Sequence, residues 1–271
     1  MKKTTLITLL TACIFTLSSC GDVLAPLGGN PPTAPGSGGP PSTNPPVGEP
    51  PAGDPQAPVK PFNPACPMPW ATSPLEAYCT DDDGTPLPIG PVDAAVITYL
   101  NELRTRGTLR GSVTTASGVN IFENTCEAAQ YVKAHQGSLP ALPHESHLHY
   151  AAVQHSRYAA HHELGSGNEN THMEDPSLPL YYGETASSRM HRAGGFPVNT
   201  NFYSGENMTT WKRSGPYMAP EQTAYITVLG MLQSPGHCTI MLDKNRGYMG
   251  AAFVKSANNY EVITIDFVFM P

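Results

Sequence analysis

The sequence is poor in charge. Asp, Glu, Lys and Arg make up 14% of its 271 residues, against about 25% in an average soluble domain. The 15 Lys and Arg against 22 Asp and Glu leave a formal net charge of −7, and no basic stripe interrupts that balance. Nucleic-acid backbones are gripped by clustered positive charge, so a nucleic-acid partner is excluded. The composition also speaks against a coiled coil and a polytopic membrane protein. Several motifs that carry chemistry are missing. There is no His-Glu-x-x-His zinc signature, because His144 and His147 are three residues apart and not four. There is no Cys-x-x-Cys pair, no Gly-x-Ser-x-Gly nucleophile elbow and no glycine-rich phosphate loop after a strand.

What the chain has in excess is proline, 29 residues, far above the roughly 5% of average usage. Much of it follows an N-terminal segment with the anatomy of a secretory signal peptide. Lys2 and Lys3 precede a short apolar stretch from Leu6 to Leu17, which falls well short of the roughly 30 Å needed to span hydrocarbon. The segment ends in Leu17-Ser18-Ser19-Cys20, which resembles the bacterial lipobox. That resemblance implies cleavage before Cys20 and a diacylated, palmitate-type anchor on it, and two acyl chains hold a protein stably at a membrane. Gly21 after the cysteine resembles cargo sent to the outer membrane or cell surface where the host has two membranes.

Residues 21–64 contain 14 Pro and 8 Gly, so half of them break helices and strands. Such a stretch buries too little apolar surface to offset its ordering entropy and reads as a disordered tether. Six cysteines are present. Cys13 leaves with the signal peptide and Cys20 carries lipid, so Cys66, Cys79, Cys126 and Cys238 remain. An even number in an oxidising compartment reads as two disulfides. Of the three possible pairings, the one taken as the expectation joins Cys66 to Cys79 and Cys126 to Cys238. The second closes a long loop, worth roughly 4–5 kcal/mol in the chain-entropy picture.

From residue 92 the pattern becomes that of a folded domain. Val92, Val96, Ile97, Leu100 and Leu103 recur at helical spacing and stop near Gly107. Helices are expected over 145–164, 185–191 and 220–232, the last opened by Pro220 and ended by Ser234-Pro235-Gly236. The C-terminus is β-rich, with strands over 248–255 and 260–270 joined by Ala257-Asn258-Asn259. The last strand is apolar on both faces, so it needs cover on both. The expected class is α+β: a three-layer α-β-α sandwich with a C-terminal antiparallel hairpin, after a disordered tether. The expected organisation is a lipoprotein signal peptide over 1–19, a tether over 20–64, a disulfide-containing connector over 65–91 and one domain over 92–271.

Eight of the ten histidines lie between His135 and His172. Three later motifs put a His or Glu beside turn-forming residues, which reads as loops presenting polar groups to a cleft. They are Thr171-His172-Met173-Glu174-Asp175-Pro176, Gly205-Glu206-Asn207 and Ser234-Pro235-Gly236-His237-Cys238. Taken in this order they resemble the CAP superfamily (the SCP domain), which includes cysteine-rich secretory proteins, antigen 5 and plant pathogenesis-related proteins. The resemblance starts at Asn101 and Arg104 in an Asn-x-x-Arg helix. It runs through Leu148, Ala151-Ala152 and His155-Ser156, and through Arg189 before Gly194-Gly195-Phe196. It ends at Gly250-Ala251-Ala252.

The resemblance implies an α-β-α sandwich whose cleft is lined by His172, His237 and Glu206. A second family glutamate belongs where this chain has Ser234, after a Trp position held by Met231; Glu221, upstream on the same helix, is a doubtful replacement. The Cys after Gly-His in bacterial relatives pairs with an upstream cysteine, which supports Cys126–Cys238. Two imidazoles and a carboxylate at His172, His237 and Glu206 are also a chemically sensible set for Zn or another divalent metal. The rival arrangement is a hydrogen-bonded cluster that fixes loops to the sheet. Tyr181, Tyr182, Tyr203 and Trp211 read as packing residues that can edge the cleft. The leading expectation is a membrane-anchored, extracytoplasmic binding module for a small apolar ligand, a glycan or a partner protein. The alternatives are a metal-assisted hydrolase of peptide or cell-wall material and a structural envelope protein. Enzymatic activity stays open at this stage, with the balance against it.

Overall fold

A computed structural model describes residues 87–165, 171–194 and 203–269. The signal peptide, Cys20, the tether, Cys66 and Cys79 lie outside them. In chain order the elements are α1 (Pro91–Arg106), α2 (Glu127–Ala134), α3 (Ser146–His161), α4 (Ala186–Gly194), β1 (Tyr203–Lys212), α5 (Pro220–Gln233), α6 (Pro235–Met241), β2 (Tyr248–Lys255) and β3 (Tyr260–Phe269). The class is α+β, with β3 in the centre of an antiparallel sheet of order β1-β3-β2. Among the described residues, no helix is long and apolar enough to cross a membrane.

The two-sided strand has its two layers. Ile263, Ile265 and Phe267 of β3 pack with Met249 and Ala251 of β2 against α1, α5 and α6. On the opposite face, Val262 packs with Met208 of β1 against Ala159 and Ala160 of α3. α3 is buried nearly all round, with only Gln154, Arg157 and His161 outside its buried set. Its alanines at 151, 152, 159 and 160 are all buried, and small side chains let a helix lie close on a sheet. The closest approach is at Gly250, where a Cβ would stand 2.1 Å from the backbone nitrogen of His149.

The Asn-x-x-Arg pair of α1 reaches out of its helix at i and i+3, one face. Asn101 exchanges two hydrogen bonds with the backbone of Leu142. Arg104 is fully buried; its Nη1 donates to the carbonyls of Met241 and Asp243, and its Nε to that of Pro140. A cation thereby satisfies carbonyls at the C-terminal end of α6, where the helix dipole favours positive charge.

Three elements depart from the sequence reading. Gly205-Glu206-Asn207 is not a loop but part of strand β1, hydrogen-bonded to β3 over ten residue pairs. Ser234-Pro235-Gly236 ends α5 and also opens a second helix, α6, with Pro at its first turn. The eight-residue α2, starting directly after Cys126, was not anticipated. Gly and Asn are weak strand formers, and seven- or eight-residue helices carry little periodicity. Tertiary packing decides these segments.

Candidate functional site

The tripeptide Gly205-Glu206-Asn207 serves both layers because side chains alternate across a strand. Gly205 gives the room for α6, since a Cβ there would stand 2.9 Å from Ile240 and 2.9 Å from Arg246. Asn207 reaches the same side, and its Nδ2 donates to the carbonyl of His237 at 2.9 Å. Glu206 points the other way. Its Oε1 is 2.8 Å from His172 Nδ1 and its Oε2 is 2.6 Å from Arg189 Nη2.

Behind this pair lies a buried polar network. His155 on α3 places Nδ1 2.9 Å from Glu174 Oε1, and Nε2 3.1 Å from the Thr171 carbonyl and 3.6 Å from Glu206 Oε1. Arg189 on α4 joins Glu206 to Glu174, at 3.7 Å from the latter, and donates to the carbonyls of Gly183 and His172. Glu174 Oε2 accepts the backbone N–H groups of Tyr182 and Gly183. The loop carrying His172 is thus fixed to α3 and α4 through charge-assisted bonds, which are the stronger class.

Burial alone would raise the pKa of Glu206. The guanidinium of Arg189, then His155 and His172, reverse that and hold the carboxyl well below the usual carboxylate range. Its cross-strand partner on β3 is Asp266, itself fully buried. Asp266 is pushed well above the usual range, first by burial and then by the charge of Glu206. Among the described residues its oxygens have no partner other than the Glu206 carboxyl. Two carboxyls this close do not both ionise, so Asp266 is the protonated member. Asp266→Asn keeps the shape and the neutral charge, and it is expected to change stability by under about 1 kcal/mol at pH 7. Glu206→Ala strands the Arg189 cation and is expected to cost about 3 kcal/mol or more. Urea unfolding of the two variants checks the contrast; equal losses would refute the assignment of the proton.

His237 sits on α6 with its ring centroid 6.5 Å from that of His172. It is 1% exposed, and neither ring nitrogen has a hydrogen-bond partner among the described residues. Burial, then the neighbouring His172, lowers its pKa to about 4. The folded protein therefore keeps this ring neutral at pH 7. Stability falls as pH drops from about 6.5, where the unfolded chain takes the proton, towards 4. Ser234, the position of the family's second glutamate, is buried, and its Oγ also has no hydrogen-bond partner among the described residues. Glu221 is exposed at the far end of α5 and does not stand in for it.

Residues 97–269 match the family model of CAP, the cysteine-rich secretory protein family. The chain belongs to the CAP family. A search of the curated proteins found no match. Among solved structures, an outer surface protein from Borrelia burgdorferi is similar at 19% identity, over 54% of this chain and 88% of its own, with a TM-score of 0.35.

In this CAP domain the carboxylate of the zinc set considered above is already paired within the protein. Both oxygens of Glu206 are engaged, one by His172 and one by the permanent cation of Arg189. A metal ion at that carboxylate would have to compete with a guanidinium at hydrogen-bond distance. Among the described residues, no group of three or more His, Cys, Asp or Glu is placed to hold a metal. The histidine-rich stretch divides by location. His144 and His149 pack edge to face, with ring centroids 5.5 Å apart, near the start of α3; burial lowers His144 to about 3. His147 pairs with Glu145, and His135 stacks on Tyr131. Only His155 and His172 join the Glu206 network.

His155, Glu174, Arg189 and Asp266 were the functional residues that sequence reasoning did not assign. Glu174 was in view inside the Thr171–Pro176 motif, and Arg189 lay on the family pattern. Tyr182 is buried, edge to face with Tyr150 and under Arg192. Trp211 donates to Glu261. Both pack as structural aromatics.

The disulfide Cys126–Cys238 is present, with its Cα atoms 5.9 Å apart. It ties the start of α2 to α6, one residue from His237.

Proposed function

We propose that the chain is an extracytoplasmic, lipid-anchored CAP-domain binding module whose ligand is held through His237 beside the His172–Glu206 pair. The observation that carries this is the buried neutral imidazole of His237, neither of whose nitrogens has a hydrogen-bond partner among the described residues. Buried polar groups are normally satisfied, and a neutral imidazole offers one donor and one acceptor. That matches a hydroxyl-bearing ligand: a glycan, a small apolar or sterol-like molecule with one polar end, or a serine, threonine or tyrosine side chain on a partner. The Cys126–Cys238 bond fits an oxidising compartment. The signal segment and Cys20 supply the address and the anchor, at the outer membrane or cell surface.

The test is equilibrium binding to panels of glycans and sterol-like ligands, with the parent and with His237→Ala and His172→Ala. Binding is expected to weaken at least tenfold in His237→Ala. It should also fall as pH drops towards 4, where the ring charges and loses its acceptor. Ligand binding that ignores His237→Ala would overturn the proposal. Calorimetric titration with zinc is the second arm. No stoichiometric zinc uptake that depends on His172 and His237 is expected. Such uptake, with cleavage of peptide or peptidoglycan, would transfer the case to a metal-assisted hydrolase.

A further inference from the structure

Away from His172, Glu206 and His237, a cavity of about 340 Å³ opens where α1 and α2 end and the 108–122 segment folds over them. That volume falls within the range of small-molecule sites, roughly 300–1,000 Å³. Phe122 in its lining is 1% exposed, and Val113 is 47% exposed. Two cations, Arg106 and Lys133, line the same space with Gln136.

Basic residues in a last helical turn usually serve the helix dipole and its free carbonyls. Here those carbonyls are already engaged by backbone N–H groups. Gly107, Leu139 and Ser138 cap Leu103, Arg104 and Thr105 of α1; His135, Gly137 and Gln136 cap Tyr131, Val132 and Lys133 of α2. Neither the guanidinium of Arg106 nor the ammonium of Lys133 has a hydrogen bond or ion pair among the described residues. The nearby carboxylate of Glu102 is taken up by the Thr108 hydroxyl and the N–H groups of Arg110 and Gly111. Two unneutralised cations on one cavity run against a chain whose net charge is −7.

We infer that this cavity is a binding site for a small organic anion: a carboxylate carried on a short-chain or single-ring apolar body. The carboxylate pairs with Arg106 and Lys133, the planar guanidinium being suited to a two-point contact. The apolar body lies along Val113 and the methylene stems of Arg106 and Lys133. The site is independent of His172, Glu206 and His237.

The probe is 4-fluorobenzoate, followed by fluorine NMR with the full chain. A saturable shift is expected. It should weaken at least tenfold in Arg106→Gln/Lys133→Gln, and in Val113→Glu, which sets a like charge at the rim. Both substitutions fall on exposed side chains, so melting temperatures should stay within about 2 °C of the parent, and His237→Ala should bind the probe unchanged. 4-Fluorobenzyl alcohol, which lacks the charge, and inorganic phosphate, which lacks the apolar body, should each compete at least tenfold less well than benzoate. The inference is overturned by the absence of saturable binding, by equal competition from the alcohol or phosphate, or by probe affinity unchanged in both the double variant and Val113→Glu.

Discussion

Arg189→Met is expected to cost the domain about 3–5 kcal/mol, among the largest losses from any single substitution in the described residues. The side chain is fully buried and stands between two buried carboxylates, 2.6 Å from Glu206 and 3.7 Å from Glu174. Methionine keeps much of the stem's length and removes only the charge and its donors. What remains is a pair of uncompensated buried anions with His155 between them. Breaking one partner out of a buried ion pair typically costs about 3–5 kcal/mol, because the survivor keeps its desolvation penalty. In a domain of this size each kcal/mol moves the melting temperature by about 2–4 °C, so a drop of about 10 °C is expected. The Gly183 and His172 carbonyls also lose their donor, so the loop bearing His172 should loosen first. Adding Glu206→Gln to Arg189→Met is expected to recover part of the loss, since it removes one stranded charge. That sign is the informative result: a double variant as unstable as the sum of the singles would mean that Arg189 acts by packing alone. Lysine is a poor substitute, because a point charge cannot fork between two carboxylates and two carbonyls.

The network built on Arg189 shows how far the sequence could be read. The sandwich was legible because its main helices and its terminal hairpin are long and strongly patterned. Ile263, Ile265 and Phe267 alternate with Val262, Thr264 and Val268, and both rows are buried. The His172, Glu206 and His237 triad was visible through a chain of short family motifs and not through periodicity. Its supporting charges were less visible. His155 occupies an ordinary core position of a helical stripe, and Asp266 reads as the one charged residue on its face of a mostly apolar strand. Only the register that sets Asp266 opposite Glu206 turns it into half of a proton-sharing pair. β1 was hidden for a related reason: Gly205 and Asn207 look like turn residues in isolation. In place, one admits α6 and the other binds the carbonyl of His237. The metal reading rested on residue types alone, and no spacing rule would have put the guanidinium of Arg189 beside Glu206.

The second large effect concerns α6. Removing the disulfide with Cys126→Ala/Cys238→Ala is expected to destabilise the domain by roughly 4–5 kcal/mol, since the bond closes a loop across a sequence separation of 112. The double substitution avoids a free thiol in a fully buried site at Cys238. Reducing agent should bring the parent close to the variant's melting temperature and move the variant far less. α6 nevertheless has other holds. Asn207 binds the carbonyl of His237, Arg104 binds that of Met241, and Ile240 lies over Gly205. These contacts do not depend on the sulfur bridge, so below its lowered melting temperature the variant should keep ligand affinity within about threefold of the parent. Asn207→Ala should do the reverse, with a smaller loss of stability, about 1–2 kcal/mol, and a larger loss of affinity, because it frees the backbone beside His237. Calorimetric melting and binding on the same samples separate the two roles. If the cysteine variant melts within about 2 °C of the parent, the long-loop account is refuted. If it melts low and also fails to bind at low temperature, the bridge is what positions His237, and the hydrogen bonds from Asn207 and Arg104 are secondary.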